Sequence, residues 1–111
     1  MVSIGIDLGG TNIKIALVDS KKGFIDTVST PTRAELGKAQ IFETIKEEVN
    51  ELIAKNKVKP MGVGMGLPGM VSLDRRTMKN PPNLPGWKVE NVAHKIEKRL
   101  NLSCIIDNDA N

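Results

Sequence analysis

The sequence is poor in the residues that make staples or unusual chemistry. Cys104 is the single cysteine among 111 residues, which excludes an internal disulfide and any multi-cysteine zinc site. Its neighbours Ile105 and Ile106 mark it as a buried strand thiol without chemistry. Tyrosine is absent, and the aromatics are two phenylalanines and one tryptophan. The charge excess is small: Lys plus Arg is 16 against 13 Asp plus Glu, a net +3. The basic residues are scattered, with Lys21-Lys22 and Arg75-Arg76 as pairs, and neither a basic stripe nor an aromatic platform accompanies them. The balance describes a solvated surface and argues against nucleic acid as a partner. No apolar run approaches the roughly 18 residues a membrane span requires. Met1 leads directly into a strand-like run, with no signal peptide. A cytoplasmic location without a membrane partner is the expectation.

What is present suits one small α/β domain. Apolar residues make up 40%, enough for a core, although burial at this length is modest. Val2, Ile4 and Ile6 alternate with Ser3 and Gly5, which predicts a strand. Gly9-Gly10 breaks it. A second strand follows over Ile13 to Val18, a turn over Asp19 to Gly23, and a third strand over Phe24 to Thr30. The short connections make these three antiparallel. From Lys38 to Lys55 the period lengthens: Ile41, Phe42, Ile45, Val49, Leu52 and Ile53 share one helical face. A fourth strand is predicted over Met61 to Gly66. A long irregular segment carrying Pro68, Pro81, Pro82, Pro85 and Gly86 comes next. A second helix is read from Val89, Val92, Ala93, Ile96 and Leu100, and a fifth strand over Ser103 to Asp107. The order is βββαβαβ, a mixed five-stranded sheet with flanking helices.

Four motifs carry candidate chemistry, each with an ordinary structural reading beside it. Asp7-Leu8-Gly9-Gly10-Thr11-Asn12 lies between two strands. Adjacent glycines allow backbone amides close to a phosphate and permit positive φ. Thr11 and Asn12 add side-chain hydrogen bonds, and Asp7 can hold a hydrated Mg²⁺. The same residues also suit a tight hairpin. Gly62 to Gly69 contains a formal Gly-Xaa-Gly-Xaa-Xaa-Gly, but prolines follow where a dinucleotide site needs a helix, and no Gly-Lys-Ser/Thr completes a P-loop. A small-residue strand ending in a Leu67-Pro68-Gly69 turn is left, either a ligand-facing strand end or plain close packing. In the Pro81 to Trp87 segment, Asn83 offers both a donor and an acceptor to a sugar hydroxyl, while Trp87 either stacks on a sugar or caps the core. Asp107-Asn108-Asp109-Ala110-Asn111 follows the last strand. A carboxylate there can take a proton from an attacking hydroxyl, or these residues simply cap a helix. His94 reads as a surface residue.

The order of these signals resembles the ROK family of sugar kinases: Asp-Leu-Gly-Gly-Thr, then Gly-Xaa-Gly-Leu-Pro-Gly, Pro-Pro-Asn-Leu-Xaa-Xaa-Trp, and Asn-Asp-Ala-Asn. The likeness runs the length of the chain. It implies the actin-like ATPase fold with its ribonuclease-H-like core, and ATP-dependent phosphorylation of a hexose. Glucose to glucose 6-phosphate is the first expectation. Kinases for fructose or N-acetylmannosamine, and a non-catalytic sugar sensor, are the alternatives. On the resemblance, Asp7, Gly9, Gly10, Thr11 and Asn12 face the ATP phosphates, with Asp7 near Mg²⁺ through water. Gly69, Met70, Asn83, Asn108 and Asp109 surround the sugar, and Asp109 is the catalytic base.

Two departures from the family pattern stand out. Asn12 occupies a position where many members have lysine. The family's second domain is missing, with its Glu-Xaa-Xaa-His sugar contact, its His/Cys zinc motif and its adenine pocket. The chain therefore reads as the N-terminal 1–111 domain of a two-domain kinase, homodimeric when complete, with any structural zinc confined to the absent part. The fragment alone is expected to be inactive. Family members that act as repressors carry an N-terminal helix-turn-helix, and the strand starting at Val2 argues against that role.

Overall fold

The computed structural model describes residues 1–79, 81, 84 and 86–108. Three strands open the chain, β1 (Val2–Leu8), β2 (Asn12–Asp19) and β3 (Gly23–Pro31). The alternation that predicts β1 is realised as burial of Ile4, Ile6 and Leu8. Ile13, Ile15 and Leu17 do the same in β2. Gly23 adopts φ 82° to close the β2–β3 turn, and the Asp19 carboxylate accepts from the Lys21 amide at 2.8 Å. The three strands are antiparallel, as their short turns require.

Helix α1 (Lys38–Asn56) buries Ile41, Phe42, Ile45, Val49 and Leu52, the face anticipated from the 3.6-residue period. It stops where Lys57 turns left-handed at φ 53°. The chain then enters β4 (Val63–Leu67). Beyond it lie three two-residue strands, β5 (Met70–Val71), β6 (Met78–Lys79) and β7 (Val89–Glu90), then α2 (Val92–Leu100) and β8 (Cys104–Asn108). The main sheet has the order β3-β2-β1-β4-β8, with β1, β4 and β8 parallel. Within that sheet and its two helices the order is the expected βββαβαβ.

Two expectations need correction. The segment after β4 is not wholly irregular, because β5, β6 and β7 form a small antiparallel sheet of their own. Strands of two residues carry no periodicity to read. Val89 belongs to β7 and is 59% exposed, so it is not part of the apolar face of α2. The helix starts later because Asn91 caps it, its side-chain oxygen accepting from the His94 amide at 2.9 Å, and Asn is a favoured N-cap.

Both helices cover one face of the main sheet, joined by a core that includes Val63, Met65, Leu67, Val92, Ile96, Cys104 and Ile106. Trp87 belongs to this core at 6% exposure, with its ring 5.5 Å from that of Phe42. The core-capping reading of Trp87 is the one the fold adopts. Burial pushes the Cys104 thiol up to about 12, which makes it the inert strand residue expected. His94 is exposed.

Candidate active site at the carboxyl ends of the parallel strands

The uncovered face of the sheet carries a polar row that the pairing registers define. Ser29 pairs with Lys14, Lys14 with Asp7, Asp7 with Gly66, and Gly66 with Asp107. Residues paired across neighbouring strands point to the same side. Asp7, Lys14 and Asp107 are all exposed. Gly66, with no side chain, stands between the two carboxylates in this row. The next row inward holds Ala16, Gly5 and Gly64, and a Cβ built at Gly5 or Gly64 meets nothing within 4 Å. The floor beside the carboxylates is therefore flat and open. The sequence offered Asp107 only as part of the Asp107–Asn111 motif; its alignment with Asp7 comes from strand register alone.

Asp7-Leu8 leads into the glycine turn, which is a tight hairpin. The Gly9 amide donates to the Asn12 carbonyl at 3.0 Å. Positive φ among the described glycines falls at Gly23, Gly37 and Gly86, so neither Gly9 nor Gly10 uses the left-handed freedom expected of it. Space is what Gly9 supplies: a Cβ there would lie 3.0 Å from the Asn12 carbonyl oxygen. Buried Thr32 braces the turn, its hydroxyl donating to the Gly9 carbonyl and its amide to the Thr11 carbonyl, each at 2.8 Å. Thr11 and Asn12 are exposed at the tip. The hairpin reading and a phosphate-facing role are thus compatible, because the brace fixes the backbone without covering its outer side chains.

The Leu67-Pro68-Gly69 turn ends β4 beside β8. Gly69 is buried, and an added Cβ would sit 2.8 Å from both the Lys79 carbonyl oxygen and the Met78 Cγ. Glycine is required here by the close approach of β6. Asn108 donates its side-chain amide to the Gly69 carbonyl, so two residues assigned to one site by sequence do meet. Met70 follows at 69% exposure. Asn83 and Asp109 lie outside the described residues. Near Asn83, the Trp87 amide closes a turn onto the Leu84 carbonyl at 3.4 Å, with Gly86 at φ 87°.

A buried carboxylate in β7 ties the two helices together. Glu90 is 7% exposed and pairs with Lys38 of α1 and Lys95 of α2. Burial works to raise its pKa, but the two ammonium groups outweigh that and hold it below the usual carboxylate range. Among the described residues no group of three or more His, Cys, Asp or Glu side chains is placed to hold a metal. No described helix is long and apolar enough to cross a membrane.

A mixed sheet in this strand order, with a glycine hairpin after β1 and polar residues at the carboxyl ends of β1 and β8 on either side of Gly66 in β4, defines an actin-like ATPase domain. The sequence pattern of the ROK family matches residues 3–111, and the chain belongs to that family. It is 32% identical over 111 residues to a glucokinase of Halalkalibacterium halodurans, covering 97% of this chain and 33% of that protein. An N-acetyl-D-glucosamine kinase of Aliivibrio fischeri is 29% identical, with 96% of this chain and 34% of that protein covered. The crystal structure of a ROK family glucokinase from Streptomyces griseus, in complex with glucose and AMPPNP, superimposes with a TM-score of 0.84 at 29% identity. That match covers 100% of this chain and 34% of the other. The chain spans about a third of the length of the curated relatives it matches.

Proposed function

We propose that the complete protein is an ATP-dependent hexose kinase acting on the sugar 6-hydroxyl, with glucose as its first substrate. The observation that carries this reading is the gathering of Asp7, the Gly9-Gly10-Thr11 hairpin, Gly69 and Asn108 at one end of the sheet, in a chain of the ROK family. Open α/β sheets bind ligands at the carboxyl ends of their strands. The S. griseus glucokinase, which binds glucose and the ATP analogue AMPPNP, supports both ligands.

In this reading the Gly9-Gly10 turn, with Thr11 and Asn12, faces the ATP phosphates. Gly69, Met70, Asn83 and Asn108 orient the sugar. Asp109 accepts the proton of the 6-hydroxyl as its oxygen bonds to the γ-phosphorus and the bond to the β,γ-bridging oxygen breaks, releasing ADP. The step is mostly alignment and charge stabilisation, and alignment alone supplies about 7–11 kcal/mol of such a barrier. Mg²⁺ prefers few carboxylates and several waters. Asp7 and Asp107, exposed and separated by a residue without a side chain, suit that preference. The metal would neutralise charge on the phosphates.

Half of the sugar pocket lies in the second domain of the family, so the choice of sugar is set by both domains together. Relatives include an N-acetyl-D-glucosamine kinase, and fructose or N-acetylmannosamine are further choices. The deciding measurement is ADP release by the complete protein with each of these sugars in turn. Glucose is expected to give the highest kcat/KM. Sugar binding by calorimetry without any sugar-dependent ADP release would replace the kinase with a sensor.

A further inference from the structure

The edge strand β8 is locked from outside by the turn between β5 and β6, by helix α2 and by its own Asp107 carboxylate. Its outward-facing amides are all engaged. The Cys104 amide donates to a Glu97 carboxylate oxygen at 3.0 Å. The Ile106 amide donates to the Arg75 carbonyl at 2.9 Å, and the Asn108 amide to the Asp107 carboxylate at 2.8 Å. Arg76 ties the first two contacts together. Its guanidinium pairs with both oxygens of Glu97 and also reaches the Cys104 carbonyl at 3.4 Å. The β5–β6 hairpin, helix α2 and strand β8 therefore converge on one side-chain pair.

The hairpin turn is itself held in an unfavourable shape. Arg75 takes φ 58°, a left-handed conformation that non-glycine residues adopt only when their surroundings impose it. Ser72 imposes it here. The Arg75 amide donates to the Ser72 carbonyl at 2.9 Å, and the Thr77 amide to the Ser72 hydroxyl at 3.0 Å. In that shape the Arg75 carbonyl meets the Ile106 amide. The same hairpin carries Met78, whose side chain lies against Gly69, and Gly69 accepts from Asn108. Both partners of the Asn108–Gly69 contact are thus set by one hairpin.

We propose that the Arg76–Glu97 pair, with the Arg75 turn it anchors, is a positioning clamp that fixes the Asn108-bearing end of β8 against the Gly69 turn. This rests on the hexose-kinase reading for its consequence, but the clamp itself is a statement about the strand. An error of about 1 Å at a reacting group can cost 10²-fold in rate. Arg76→Ala is therefore expected to lower kcat/KM for the sugar by roughly ten- to a hundred-fold while leaving the KM for ATP nearly unchanged.

The experiment compares Arg76→Ala, Arg76→Lys and Lys98→Ala in the complete protein. Lys98 is exposed on α2, so its removal matches the charge change without touching the clamp. Steady-state kinetics for sugar and ATP are read beside amide hydrogen exchange at Cys104, Ile106 and Asn108, well below the melting temperature. The clamp predicts faster exchange at these amides in Arg76→Ala, partial recovery in Arg76→Lys, and no change in Lys98→Ala. A loss in sugar kcat/KM with ATP KM preserved should track that order. Should Arg76→Ala prove too unstable to measure, Arg76→Lys carries the same comparison. Unchanged exchange at all three amides, or sugar and ATP kinetics falling together, overturns the clamp. Absence of turnover with any hexose in the wild type instead removes the kinase reading and leaves the exchange result to judge the clamp.

Discussion

The side-chain amide of Asn108 donates to the carbonyl of Gly69, joining the ends of two parallel strands. Gly69 has no room for a side chain there, because β6 passes directly over it. Gly69→Ala forces the new methyl against the Lys79 carbonyl and Met78. The expected cost is about 1–3 kcal/mol, the range for overpacking a close contact. It also displaces the carbonyl that Asn108 uses, so sugar KM should rise with it. Thermal melts and sugar kinetics on one variant check both. A normal melting temperature would mean that the β5–β6 hairpin moves away freely.

Trp87 packs on Phe42 and is almost fully buried. Trp87→Ala should destabilise the protein by about 3–5 kcal/mol, as large-to-small aromatic core changes do. Trp87→Phe should recover much of that and retain sugar affinity. If Trp87→Phe kept its stability but lost sugar binding, the ring would have a ligand role that its burial argues against.

The Arg76–Glu97 pair gives stability a defined acid limb. The Arg76 guanidinium, then the Cys104 amide, hold the Glu97 carboxyl at about 2, below its ordinary 4.5. His94 lowers it further, as the smallest of the contributions. A carboxyl with a depressed folded pKa adds stability above its unfolded value and loses it as the pH falls toward the folded one. The window here is therefore pH 4.5 down to about 2. Other acids titrate in the same range, so the measurement is a difference. Denaturant unfolding of the wild type should weaken more steeply across this window than that of Glu97→Gln. Parallel curves would show that the pair contributes nothing.

Elements long enough to repeat were legible in the sequence. Val2, Ile4, Ile6 and Leu8 spell β1, and the Ile41 to Leu52 face spells α1, because one buried side imposes a period. The resemblance put Gly69 and Asn108 around one sugar, but the contact between the two comes from the structure alone. The polar row was not, since Asp7, Gly66 and Asp107 become neighbours only through strand register. Nor was the Arg76–Glu97 pair, whose members stand 21 residues apart with ordinary neighbours. The glycine hairpin was legible as a turn, but the positive φ expected beside the phosphate reading is absent: clearance at the Asn12 carbonyl explains Gly9.

That clearance makes the nucleotide assignment testable. Gly9→Val places a branched side chain against the Asn12 carbonyl oxygen, 3.0 Å from the new Cβ, and must shift the hairpin. If the turn cradles phosphate, ATP KM should rise by about tenfold or more, the worth of one good hydrogen bond. Sugar affinity measured without nucleotide should change much less. Equal losses of both would reduce the turn to a structural hairpin.

Asp109 follows β8 directly, and the base role proposed for it predicts a characteristic kinetic pattern. In the complete protein, Asp109→Asn should lower kcat by roughly 10²–10⁴, the range for a positioned acid–base group. The amide has the same size and can still hydrogen-bond a hydroxyl, but it cannot take the proton. Sugar KM should therefore change little, since an interaction used mainly in the transition state appears in kcat and kcat/KM together. Asn108→Ala should behave differently, raising KM as well, because it removes a ground-state contact and frees the Gly69 carbonyl. Helix capping makes the opposite forecast. Asn caps as well as Asp, so Asp109→Asn would then leave melting temperature and turnover both near normal. Measuring kcat, sugar KM and the melting temperature of this one variant separates the two roles, and near-normal turnover would remove Asp109 from the chemistry.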